Sequence, residues 1–92
     1  GQYKGYRIQV ISTRDRKKAF DIKALLLSRF PEEKTYALFQ SPYFKIRIGN
    51  FISKEDAEDF RKSLRKLFPD GVFVVADVIE YTPPEEEDLF ID

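Results

Sequence analysis

FKIRIGNFISKEDAEDFRKSLRKLFP, residues 44–69, repeats YRIQVISTRDRKKAFDIKALLLSRFP, residues 6–31, without a gap. Ile8/Ile46, Ala19/Ala57, Leu26/Leu64, Phe30/Phe68 and Pro31/Pro69 are identical across the repeat. Tyr6/Phe44, Arg7/Lys45, Val10/Ile48, Arg16/Lys54, Ile22/Phe60 and Lys23/Arg61 are similar in kind. A repeat of this size marks a supersecondary unit used twice.

Each unit opens with alternating apolar and polar residues, the pattern of a strand with one buried face. The spacing predicts strand β1 over 6–12 and strand β3 over 43–49. A helix start follows. Ser53 with Asp56 three residues on resembles a capping box; Ser12, Thr13 and Asp15 stand at the corresponding place in the first unit. Ala19, Ile22, Leu26 and Phe30 then share one helical face in α1, matched by Ala57, Phe60, Leu64 and Leu67/Phe68 in α2. Pro31 and Pro69 are expected to end the two helices. A second strand closes each unit, β2 over 35–40 and β4 over 72–79, and Ser41-Pro42 makes a tight turn between the units. The order βαββαβ, with a short β2–β3 link, predicts an α+β, ferredoxin-like (RNP-like) fold. Its four antiparallel strands lie in the order 4-1-3-2 with both helices on one face.

The offset between the units is even, so matching residues keep the same side of their strands. Ile8 and Val10, with Ile46 and Ile48, are expected under the helices. Arg7, Gln9 and Ile11, with Tyr43, Lys45 and Arg47, are expected on the open face of the two central strands. Tyr offers a flat apolar ring with a polar tip. Gln offers a donor and an acceptor, which hydroxyl and acetamido groups need. Lys and Arg donate to oxygens and carboxylates. These residues also have plain structural readings: solvated polar groups, cations paired across the sheet, a Tyr packed on its own hairpin. Ser12 has one as a helix cap, Phe73 as core if β4 shifts by one residue, and Gly49 as a bulge leading into the second helix.

The chain of 92 residues lacks Cys, His and Met. Disulfides, the usual zinc sites and His-based acid–base or triad chemistry are thereby excluded. With no Met, the chain reads as a domain cut from a longer protein, and no signal peptide or membrane anchor is visible. Its charges cancel overall but not locally. All 16 basic residues but only 11 of the 16 acidic ones fall in 1–82, a surplus of five positive charges. That admits an anionic partner without making the dense basic stripe of a nucleic-acid binder. Residues 1–4 read as a linker or tag remnant, 5–81 as the domain, and 82–92 as an acidic tail.

Tyr6-Arg7-Ile8-Gln9-Val10, an Ala-bearing helix, Arg47-Ile48-Gly49-Asn50-Phe51, SKEDAEDFRKSL and a final FVV stand in an order and spacing that resemble a SPOR domain (sporulation-related repeat). The resemblance spans roughly residues 5–79. It implies the same βαββαβ fold and a non-catalytic role in the bacterial cell envelope. It implies binding to peptidoglycan glycan strands, with preference for strands without stem peptides. Such strands arise at the division septum, so the localisation implied is the periplasm at the division site. The family's site on the open face carries over to Gln9, Ser12, Tyr43, Lys45 and an apolar β4 residue, Phe73 or Val74. Arg47 and Arg7 are candidate extensions. The chain departs from the pattern at Ile11, where Gly is frequent, at Asn50, where Pro is frequent, and at Lys45, where Arg is common.

Two other readings use the same scaffold. RNA recognition motifs share the strand–helix order and read from β1 and β3. Here the third strand lacks the K/R-G-F/Y-G/A-F-V-x-F/Y run and puts aliphatics where stacking aromatics belong. A protein-interaction or small-molecule regulatory domain is equally compatible with the fold. Catalytic, metal and cofactor sites are not expected, and no membrane or nucleic-acid contact is expected of the domain.

Overall fold

The computed structural model describes residues 2–82. The elements are β1 (Gln2–Thr13), α1 (Arg16–Arg29), β2 (Thr35–Gln40), β3 (Tyr43–Phe51), α2 (Lys54–Arg65) and β4 (Phe73–Glu80). The strands form one antiparallel sheet in the order β2-β3-β1-β4, the expected 4-1-3-2 order read from the other edge. Both helices cover the same face. Ala19 and Leu26 of α1 and Ala57 and Leu64 of α2 are buried against Ile8, Val10, Ile46 and Ile48. The helical spacing and the strand alternation therefore meet in one core. Burying each of its larger side chains contributes about 1.5–3 kcal/mol.

The helix starts are capped as chemistry requires for orphan N–H groups. Ser53 Oγ accepts from the Asp56 N–H at 3.0 Å, and Glu55 and Asp56 place negative charge in the first turn of α2. At α1 the cap is Asp15, whose Oδ1 accepts from the Lys18 N–H at 3.1 Å. Thr13 Oγ1 accepts from the Asp15 N–H. Ser12 takes no part in the cap.

Several boundaries differ from the sequence expectation. Gln2, Tyr3 and Lys4, read as linker, are strand: they pair with Glu80, Ile79 and Val78 of β4, which is long enough to need partners there. The Tyr3 ring also meets Tyr81 edge-on at 5.4 Å. Strand β3 runs on to Phe51, and β4 spans 73–80, preceded by the buried Val72. Helix α2 ends at Arg65, ahead of Pro69; there the Leu67 N–H takes the Leu64 carbonyl three residues back, the tighter bond of a closing turn, and the Phe68 N–H shares it. Of the acidic tail expected over 82–92, residues 83–92 lie outside the described residues.

Candidate functional site on the open sheet face

Two irregularities in the β1–β3 ladder decide which side chains reach the open face. Between Tyr6↔Phe51 and Ile8↔Ile48, β3 carries one residue more than β1; between Gln9↔Arg47 and Ile11↔Ile46, β1 carries one more than β3. Each is a bulge, and each flips the alternation beyond it. At the first, Gly49 takes φ 93°, and a β-carbon there would collide with the Phe51 ring. Asn50 thereby joins the open face and Phe51 turns to the core, 5.5 Å from Phe60. At the second, Val10 and Ile11 both pack toward the core, so the expectation that Ile11 lies on the open face is corrected. Beyond that bulge Ser12 stands opposite Lys45, exposed.

The register arranges the open face in transverse rows. Tyr36, Arg47, Gln9 and Phe73 form one row across all four strands. Leu38, Lys45 and Ser12 form the next, and Gln40 with Tyr43 the one beyond. Of the two β4 candidates, Phe73 lies on the open face, 49% exposed, whereas Val74 pairs with Ile8 and packs on the core. Tyr43 is 40% exposed.

A hydrogen-bonded network lies under these rows. Arg7 Nη1 and Arg47 Nη1 both donate to Asp77 Oδ2, each at 3.1 Å. Arg7 Nη2 donates to Asn50 Oδ1 at 3.0 Å, and its guanidinium lies 3.9 Å from the Tyr36 ring centroid. Asn50 Nδ2 donates to the Tyr36 hydroxyl, which donates to Glu80. Burial, the largest single influence on Asp77, pushes its carboxyl up. The Val78 N–H and the two guanidiniums outweigh it and hold the group below the usual carboxylate range. The Lys34 ammonium, then the Tyr36 hydroxyl, draw Glu80 down in the same sense.

Arg47 Nε donates to Gln9 Oε1 at 3.1 Å. An arginine has only donors, so the Gln9 carbonyl must face it and the amide NH2 must face away. Among the described residues nothing accepts from Gln9 Nε2. The buried polar side-chain atoms without a partner there are Arg7 Nε and Thr35 Oγ1, so Gln9 Nε2 keeps contact with solvent although the residue is only 7% exposed. The result is an oriented donor set in a flat face, between Phe73 and Arg47.

The expected residues thus divide. Gln9, Ser12, Tyr43, Lys45 and Phe73 present groups to the open side. Arg7 and Arg47 share that face, but their guanidiniums are occupied by Asp77, with side chains 10% and 14% exposed. Sequence reasoning missed Asp77, Asn50 and Tyr36. Asp77 had a signal: a lone acid in the apolar run FVVADVI needs a cation. Asn50 had none, because simple alternation puts it on the helix side. Among the described residues no group of three acidic, His or Cys residues is placed to hold a metal ion, and no helix is long and apolar enough to cross a membrane.

A family model described as SPOR domain matches residues 2–75. No curated protein and no solved structure matches the chain significantly.

Proposed function

The chain belongs to the SPOR domain family, whose members bind peptidoglycan and occur in bacterial cell-envelope and division proteins, and from that premise we propose a specific reading of its open face. The domain binds the glycan strand of peptidoglycan, preferring strands without stem peptides, and so carries a parent protein to the division site in the periplasm. The observation that carries this reading is the fixed Gln9 amide. Its NH2 offers donors to a neutral acceptor such as a hydroxyl or an acetamido carbonyl. Phe73 on one side and Tyr43 further along offer apolar surface for sugar faces. Ser12 adds a small hydroxyl without a competing role in the helix cap.

Arg7 and Arg47 act as framework in this reading. Asp77 neutralises much of their charge, which favours a weakly charged glycan over a polyphosphate backbone. The same pairing speaks against RNA as the ligand of this face. The domain contributes binding, and chemistry on the wall belongs to other domains or proteins.

Titration with soluble, amidase-stripped glycan strands tests the reading. Gln9→Ala and Tyr43→Ala are each expected to weaken binding by about tenfold, the scale of one hydrogen bond or one ring contact. Circular dichroism should show the parent fold in both variants; the exposed Tyr43→Ala should keep the parent melting temperature, whereas Gln9→Ala, which leaves Arg47 Nε without its acceptor, should melt somewhat lower. Parent-like affinity in both variants would overturn the assignment of the site to this face.

A further inference from the structure

Resting on that glycan reading, we infer that Lys45, two residues from Tyr43 on β3, and Arg14, whose guanidinium lies over the Tyr43 ring, form a subsite for a carboxylate carried by the sugar. The carboxylate meant is the lactyl group of muramic acid. It is an amide wherever a stem peptide is attached. Hydrolysis of that amide releases the peptide as its free amine and leaves a carboxylate on the sugar. The subsite therefore reads the very group that peptide removal creates.

The charge placement points there. Of the open-face cations, Arg7 and Arg47 share the Asp77 carboxylate. Lys45 has only a neutral partner, its Nζ donating to Gln40 Oε1 at 2.7 Å, and among the described residues no acid lies within ion-pair distance of it. Two of its three N–H donors stay available. Arg14 follows directly on β1 and is exposed. Its guanidinium lies 5.6 Å from the Tyr43 ring centroid, again without an acidic partner among the described residues. A sugar ring against Tyr43 would lie within reach of the Arg14 guanidinium, whose fork matches carboxylate geometry, with Lys45 on the same strand and face as Tyr43. Ser12, opposite Lys45, borders the same spot.

The test separates this inference from the reading it rests on. Amidase-stripped glycan is titrated before and after its lactyl carboxylates are converted to methylamides. The parent chain is expected to bind the methylamide form about tenfold more weakly, the loss of one charge-assisted contact. Lys45→Gln and Arg14→Gln should weaken binding to the carboxylate form and narrow the gap between the two forms. Raising salt from about 50 to about 300 mM should weaken the carboxylate form more. Equal binding of both forms by the parent would overturn the subsite and leave the glycan reading standing. No binding of either form by the folded parent would overturn both. The exposed Arg14→Gln keeps the test decisive should Lys45→Gln disturb the sheet.

Discussion

Arg7 and Arg47 stand on neighbouring strands and reach the same Asp77 oxygen, and from there the order passes through Arg47 to the Gln9 amide. Removing the acid strands two nearly buried guanidiniums. Asp77→Asn is expected to cost about 1–3 kcal/mol, below what breaking a fully buried pair costs because Asp77 is partly exposed. Urea unfolding measures it. The folded state holds the Asp77 carboxyl below its ordinary value of 3.8. Its contribution is therefore full above that value and is lost as pH falls through the folded value. The difference between parent and Asp77→Asn should be largest near neutral pH and shrink as acid protonates the carboxyl; no difference between the two at neutral pH would contradict the pairing. At this scale the sequence was informative about chemistry and poor about partners. Gln9, Tyr43 and Lys45 advertised a polar face, but which cation Asp77 meets depends on strands far apart in the chain.

Strand β1 makes the same point at the scale of an element. Its alternation reads correctly from Tyr6 to Gln9, then fails at Ile11, because a bulge inserts one residue and reverses the faces. Ser12 owes its place beside Lys45 to that bulge. Bulges leave little trace in composition; Gly49 was a cue to the one in β3, since only Gly readily takes φ near +90°. Gly49→Ala combines an unfavourable φ with a collision against Phe51, and is expected to destabilise by about 1–3 kcal/mol. Because Asn50 sits just beyond the bulge and anchors Arg7, this variant should also weaken glycan binding where the fold survives. Denaturant unfolding and glycan titration of the same sample check both effects. The helices were legible because caps and 3.6-residue spacing are local signals. The first residues of β1 were not, because only their pairing with β4 makes them strand.

For the whole molecule, the repeat was the decisive clue. Two βαβ units joined by a tight turn have few ways to share one sheet, and the family match spans both, over residues 2–75. What the repeat cannot convey is asymmetry: Gln9 in one unit and Arg47 in the other occupy matching positions, yet one orients the other. A fluorescent fusion exported to the periplasm should gather at the division site, and Gln9→Ala should spread it around the envelope. The most direct test is co-sedimentation with purified sacculi, with and without amidase removal of stem peptides, for the parent and Gln9→Ala. Stronger parent binding to the stripped sacculi, lost in the variant, is the expected result. A folded parent that sediments with neither material, or a variant that binds as the parent does, would contradict the account.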